Sequence, residues 1–251
     1  MTNPLKWKLA VELWIAGMAG VLAMVVFVLP ALLAQRPRRA PLPLPLWAAC
    51  VISFAQAGLI LALFVWAGGQ LAPRIGLRAP VFEALAAGRS GMKSLSPQLV
   101  PGLLGGLAVA VVPWYFIAHN LIIPIHRPRE LLAAVLYGGI TEEIFMRWGL
   151  MTFLGWALWH NFQRAEGPPS AGVIGSAIFL SAVIFGAGHL PATRILLGGL
   201  PFPAVASVIA GGTFFGIIAG YLYRRYGLEC AMICHATSHL LAYAAYKVLP
   251  R

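Results

Sequence analysis

The sequence predicts an all-α membrane protein, a polytopic transmembrane helical bundle of about seven to eight spans. Of its 251 residues, 60% are hydrophobic and only 10% are charged, which is too little polar surface to cover a soluble globule. A bilayer core requires about 20 apolar residues per helix. Seven runs approach or exceed that length: Val11–Leu33, Leu46–Ala67, Leu99–Ile123, Leu131–Leu158, Ala171–Leu190, Ala204–Tyr223 and Ala231–Leu249. An eighth, short helix could come from Pro80–Ser96 or Leu190–Leu200.

The connections between these runs carry most of the basic residues. A net charge of +11 would suggest nucleic acid as a partner of a soluble protein, but here anionic lipid headgroups are the expected counter-charge and no nucleic-acid partner is predicted. The first connection, QRPRRAPLPLP, predicts a stiff, extended spacer, and the second contains VFEALAAG, which could lie on the membrane surface as a short helix. We therefore predict two N-terminal spans in residues 1–98 and an intramembrane core in residues 99–251.

The fourth run contains the charged stretch TEEIFMR. A charged side chain at mid-bilayer costs at least ~2.5–3.5 kcal/mol, so residues of this kind are expected to face the bundle interior and to be functional. Glu143 and Arg147 are four residues apart and share a helix face, which predicts an ion pair. In a regular α-helix Glu142 points about 140° away from Arg147. We predict that the ion pair of Glu143 and Arg147 is structural and supports a neighbouring catalytic base, Glu142. The alternative is that all three side chains form a buried ion network that only locks helices together.

Three histidines lie in the fifth and seventh runs. His189 follows Phe185 by one helical turn in FGAGHLP, and a lone intramembrane histidine can also serve only to hydrogen-bond a neighbouring helix. His235 and His239 are four residues apart in HATSH and project from one face. Two such imidazoles can bind a metal, donate to an oxyanion or pass a proton.

The histidine spacing alone is weak evidence for zinc. A mononuclear site built from Glu142, His189, His235 and His239 is chemically possible. However, the spacing lacks the glutamate that HExxH metalloproteases use as a base, since Ala236 occupies its place. No cofactor is predicted, with zinc as the alternative. Serine and thiol hydrolases are not indicated, because GVIGSA does not fit G-x-S-x-G and adjacent helical residues such as Cys234 and His235 point about 100° apart.

The stretches EEIFMR (142–147), FGAGH (185–189) and HATSH (235–239) resemble, in order, the motifs EExxxR, FxxxH and HxxxN of the CAAX protease and bacteriocin-processing family, also called the ABI family. The resemblance covers about Leu131 to Leu249 and implies an all-helical intramembrane peptidase similar to type II CAAX prenyl endopeptidases. It implies that Glu142 and His189 activate a water and that His235 and His239 stabilise the oxyanion. Glu143, Arg147 and Phe185 would support them.

The chain departs from this family at its third motif. His239 stands where the family usually has Asn. A neutral imidazole can still donate one hydrogen bond, but the change keeps a metal-dependent peptidase and a non-catalytic family member open. The expected partners are the lipid bilayer and a hydrophobic or lipidated peptide or membrane-protein substrate, and the expected location is the bacterial cell (inner) membrane.

Two other function classes remain as alternatives. A transporter would also carry intramembrane Glu, Arg and His, but it would be expected to show inverted repeats or paired half-helices, and the sequence shows neither. A membrane binding or immunity protein could use the same fold without cleavage.

Overall fold

The computed structural model describes residues 4–34, 44–119, 121 and 127–248, and these residues form helices and no strand. The predicted all-α class is confirmed. The α-helices are α1 (Pro4–Ala23), α2 (Leu29–Ala34), α3 (Leu46–Leu71), α4 (Pro80–Ala86), α5 (Met92–Val109), α6 (Val111–Ala118), α7 (Pro128–Ala133), α8 (Thr152–Phe162), α9 (Ala171–Gly188), α10 (Leu190–Leu197), α11 (Phe202–Arg225) and α12 (Leu228–Val248). Three π-helical segments (Met24–Val28, Ala134–Glu142, Ile144–Met151) and one 3₁₀ turn (Ala72–Ile75) extend or join them.

Five helical segments of the described chain are long and apolar enough to cross a membrane. They are Pro4–Ala34, Leu46–Ile75, Met92–Ala118, Ala171–Leu197 and Phe202–Arg225. The fourth and seventh predicted spans also form long helices, in residues 128–162 and in α12, and these two carry the site's Glu, Arg and His pairs. The polytopic prediction is therefore confirmed.

The remaining sequence predictions concern the ends and the connections of the spans. Short helices occur in both stretches proposed for an eighth element, as α4 and α10. The predicted span ends at Ile123 and Leu249, and most of the QRPRRAPLPLP spacer, lie outside the described residues.

Glycines let α9 and α11 pack with their backbones close together. A Cβ on Gly212 would overlap the Cα of Gly186, and a Cβ on Gly216 would come 2.6 Å from the Cβ of Ala182. Small residues at such crossings are how membrane helices associate without a hydrophobic driving force. The close crossing brings His189, at the end of α9, towards the face of α11 that carries Phe215.

The two N-terminal spans pack directly on the helix that carries TEEIFMR. Thr141 Oγ1 donates a hydrogen bond to the Gly17 carbonyl at 2.6 Å, and Trp148 Nε1 donates to the Val65 carbonyl at 3.2 Å. Both donors are buried side chains of residues 128–162. α1 and α3 therefore hold the two ends of the charged stretch, while the boundary at residue 98 stays a prediction.

The short helix α4 is tied to the start of α12. Glu229 Oε1 accepts hydrogen bonds from the backbone N–H groups of Val81 and Phe82 at 2.9 and 3.0 Å, which satisfies donors that the first turn of α4 leaves without a helical partner. Gln98 Nε2 donates to the other oxygen of Glu229 at 3.3 Å. This link fixes α4 against the ends of the spans.

Candidate active site

The helix that carries the charged stretch is not a regular α-helix. Residues Ala134–Glu142 and Ile144–Met151 are π-helical, with backbone hydrogen bonds that reach one residue further along the chain. The regular helix assumed from the sequence is wrong here. π-helical turns occur frequently at functional sites, because their wider spacing redirects side chains relative to the helix on either side.

Glu143 is fully buried and holds two partners. Arg147 Nη1 lies 3.1 Å from Glu143 Oε1, and the two side chains are 2% and 0% exposed. Nδ1 of His235 lies 2.7 Å from the same oxygen. The ion pair expected from the spacing is present, and it also orients an imidazole from α12, which the sequence did not indicate.

Aromatic rings cover the other side of the Arg147 guanidinium. Its central carbon lies 5.0 Å from the ring centroid of Phe185 and 5.5 Å from that of Phe215, both within the range of cation–π attraction. Phe215 also lies 4.3 Å from the His235 ring. Sequence reasoning missed Phe215, since nothing in the apolar run of α11 separates it from its neighbour Phe214, which is exposed.

All four predicted catalytic residues line one cavity of about 160 Å³. Glu142, His189, His235 and His239 contribute to its wall together with Phe185. The Glu142 side chain is 22% exposed, and its Oε2 lies 3.9 Å from Nε2 of His235. Of the two adjacent carboxylates, Glu142 therefore faces the cavity and Glu143 lies behind it.

The proton on His189 is placed by its backbone partner. Nδ1 lies 2.9 Å from the carbonyl oxygen of Phe185. A carbonyl only accepts hydrogen bonds, so Nδ1 carries the proton. In the neutral ring Nε2 is then an acceptor on a residue that lines the cavity.

Gly138 forms the backbone wall between the other two imidazoles. A Cβ at this position would lie 2.7 Å from Nε2 of His239 and 3.1 Å from Nε2 of His235. The two rings stack with centroids 4.9 Å apart, so both Nε2 edges approach the same hollow. Sequence reasoning missed Gly138, although a Gly-Gly pair just before Glu142 is a signal of close approach.

Residues 124–241 match the family model described as type II CAAX prenyl endopeptidase Rce1-like. Over this segment the chain is similar to the CAAX protease family. The matched segment contains every residue of the candidate site from Glu142 to His239. No curated protein and no solved structure matches the chain.

The similarity to the CAAX protease family and the helical architecture agree on the coarse class. The chain is an integral membrane protein, and its residues 124–241 are similar to a family of prenyl endopeptidases. The family segment covers the cavity wall from Glu130 to His239, while Met24 and Val28 of the first span also line the cavity and lie outside the segment.

The zinc alternative stays a question for experiment. Among the described residues, no group of three or more His, Cys, Asp or Glu side chains is placed to hold a metal ion. Cys230 and Cys234 are free and buried, so neither presents a thiol to the cavity. That no cofactor is needed stays a prediction, which the response of the activity to a chelator would test.

Proposed function

We propose that this protein is a glutamate-dependent endopeptidase that hydrolyses a peptide bond of a hydrophobic or lipidated substrate within the membrane. One observation supports this above the others. Of the two carboxylates in TEEIFMR, Glu143 is bound to Arg147 and His235, and Glu142 faces a cavity that it shares with three imidazoles. Because the Glu142 carboxylate faces the cavity, it is available to bind a water molecule there.

Glu142 and His189 are suited to hold and activate that water. The Glu142 carboxylate and Nε2 of neutral His189 are both acceptors, so together they can bind the two protons of one water. On attack, the water oxygen bonds to the substrate carbonyl carbon and Glu142 takes the proton. The protonated carboxyl then supplies it to the leaving amine as the C–N bond breaks.

His239 supplies a donor for the oxyanion. Its Nδ1 is buried with no hydrogen-bond partner among the described residues. An unpaired buried donor is rarer in proteins than an unpaired acceptor, which favours the tautomer with the proton on Nε2. That N–H points to the hollow beside Gly138.

His235 can supply a second oxyanion donor when both of its ring nitrogens are protonated. Since its Nδ1 donates to Glu143, its Nε2 can donate only when the ring carries both protons. Carboxylates on either side, Glu143 at 2.7 Å and Glu142 at 3.9 Å, favour that positive charge, while Arg147, which pairs with Glu143, opposes it. Loss of one oxyanion donor costs about 2.7–4 kcal/mol of transition-state stabilisation.

The cavity wall supports an apolar substrate. Beyond the polar residues it is lined by side chains such as Met24, Val28 and Phe116. The matching family is described as prenyl endopeptidases, so we include a prenylated CAAX peptide among the proposed substrates. The proposed location is the bacterial cell membrane.

The test uses the purified protein in phospholipid nanodiscs. A farnesylated peptide ending in a CAAX sequence, and the same peptide without the farnesyl group, are incubated with the protein. Release of the C-terminal tripeptide is followed by mass spectrometry. Glu142→Gln and His189→Ala are expected to lower kcat/KM by a factor of roughly 100 to 10,000, while Glu166→Gln, on an exposed loop, keeps full activity.

The same assay separates the alternatives. Activity that resists a chelator supports the glutamate mechanism, and chelator sensitivity supports a zinc peptidase. Full activity of Glu142→Gln would overturn the assignment of the base. No cleavage of either peptide, or of membrane peptides in cells that express the protein, would favour a binding, immunity or transport role.

Two variants of His239 test its proposed role as an oxyanion donor. His239→Asn replaces one donor with another and matches the usual third motif of the family, so it is expected to keep activity within about tenfold. His239→Ala removes the donor and is expected to lose roughly 100- to 1,000-fold. Equal activity of the two variants would remove His239 from the oxyanion site.

A further inference from the structure

A second cavity, of about 420 Å³, lies between the start of α1, the end of α3 and α4. No residue that lines it also lines the candidate active site. Its inner wall is apolar and includes Trp148 and Leu77, which are 1% and 2% exposed. The peptidase mechanism makes no use of it.

The rim of this second cavity is basic. Lys6, Arg78 and Arg89 line it together with a single carboxylate, Glu83. Arg78 donates from Nε and Nη2 to Glu83 at 3.0 and 2.6 Å, and this hydrogen bonding raises the pKa of the guanidinium. Lys6 and Arg89 form no ion pair within the described residues. In the part of the chain that the structure describes, these two cations therefore have no ion-pair partner.

The second cavity lies at the ends of two candidate membrane spans. The candidate span Pro4–Ala34 starts beside Lys6, and the candidate span Leu46–Ile75 ends beside Arg78. Trp7, next to Lys6, is 69% exposed, and tryptophan is enriched at the membrane–water boundary. The basic rim is thus at headgroup height and the apolar wall extends from it into the span region.

We propose that the second cavity binds an anionic phospholipid, with its phosphate at Lys6 and Arg89 and its glycerol and first acyl carbons against the apolar wall. Arginine and lysine are the usual phosphate-binding side chains. A soluble anion would pair with the basic rim but would leave the apolar wall uncovered. An amphiphile can contact both. The proposal goes beyond the peptidase reaction and does not depend on it.

The test measures thermal unfolding in nanodiscs of phosphatidylcholine alone and of phosphatidylcholine mixed with phosphatidylglycerol. Phosphatidylglycerol is expected to raise the Tm of the wild-type chain by roughly 5 °C, because a ligand that binds only the folded state stabilises it. The double variant Lys6→Gln/Arg89→Gln is expected to lose this rise. Lys93→Gln/Arg164→Gln, two exposed residues outside the cavity, removes the same charge and is expected to keep it.

A second variant blocks the second cavity without changing charge. Gly69 lies in α3 on the cavity wall, and a Cβ added there meets no atom within 4 Å. Gly69→Phe is therefore expected to fold with an unchanged Tm in phosphatidylcholine and to lose the phosphatidylglycerol response. Phosphatidylglycerol retained by the purified protein is counted by mass spectrometry and should fall in Gly69→Phe and in the Lys6/Arg89 variant.

Three outcomes would overturn the proposal. One is no rise in the wild type. Another is an equal rise in all variants, which would mean a general surface-charge effect. The third is an equal rise when inorganic phosphate is added to phosphatidylcholine nanodiscs, which would identify a soluble phosphate ligand. Cleavage activity is not part of the measurement, so failure here leaves the peptidase proposal to its own test.

Discussion

Gly138 leaves space in the candidate site because it has no side chain. The position that a Cβ would take is 2.7 Å from Nε2 of His239, and this is the hollow in which we place the oxyanion. Gly138→Ala is expected to rotate the imidazoles away and to lower kcat by roughly 100- to 1,000-fold, like the loss of an oxyanion donor. The Tm should not fall in parallel, because alanine favours helix over glycine by up to about 1 kcal/mol.

Two glycines serve as matched controls for that variant. Gly188, adjacent to His189, and Gly175, on the same helix, have open space where a Cβ would be added. Gly188→Ala and Gly175→Ala are expected to keep both activity and Tm. Wild-type activity in Gly138→Ala would mean that no substrate oxygen occupies this hollow.

At the scale of single residues, the sequence predicted what spacing along one helix determines. The pairing of Glu143 with Arg147 follows from four-residue spacing and is present. The contacts of Glu143 with His235 and of Arg147 with Phe215 join different helices. No periodicity within one run encodes which helix lies next to it, so these contacts could not be predicted.

At the scale of elements, the site depends on a helix that departs from α geometry over most of residues 134–151. The four-residue spacing of Glu143 and Arg147 fits a regular α-helix, so the sequence did not indicate the π-helical geometry. The contacts of Thr141 with Gly17 and of Trp148 with Val65 hold the π segments in place from α1 and α3. The N-terminal spans thereby stabilise a backbone that an isolated helix would not adopt.

The Glu143–Arg147 pair gives a stability prediction for the same element. Arg147→Met leaves the fully buried Glu143 carboxylate without its cation, which is expected to cost about 3–5 kcal/mol. The double variant Glu143→Gln/Arg147→Met removes both charges and should recover much of the loss, since the amide that replaces the carboxylate still offers an oxygen to His235. Thermal unfolding in detergent measures both variants and the single variant Glu143→Gln against the wild type.

The double variant shows whether the effects of Glu143 and Arg147 on stability depend on each other. Additive losses in the double variant would show that the two charges do not depend on each other. Arg164→Met, which changes an exposed arginine, is the matched control and is expected to leave the Tm unchanged.

At the scale of the whole molecule, hydropathy predicted the spans but not their arrangement. Lipid-facing and buried positions are equally apolar: Leu59 and Leu63 of α3 are exposed, and Leu61 between them is fully buried. Since lipid and protein interior favour the same residues, composition identifies a helix and leaves its neighbours unspecified. The shared cavity was reached instead from the few polar residues, whose cost in a membrane requires that they face inward.

The site cavity is also lined by α10, and this gives a prediction about substrate access. Ala192 of α10 lines the cavity. Ala192→Trp should occupy cavity space that a bulky substrate needs, so kcat/KM for the farnesylated peptide is expected to fall by roughly tenfold or more, as small displacements from productive geometry are costly. Leu197→Trp, an exposed position on the same helix, should keep full activity, and both variants should keep the wild-type Tm. Equal activity of Ala192→Trp and the wild type would show that the substrate enters by another route, whereas equal losses in both variants would place the effect in α10 itself rather than in the cavity.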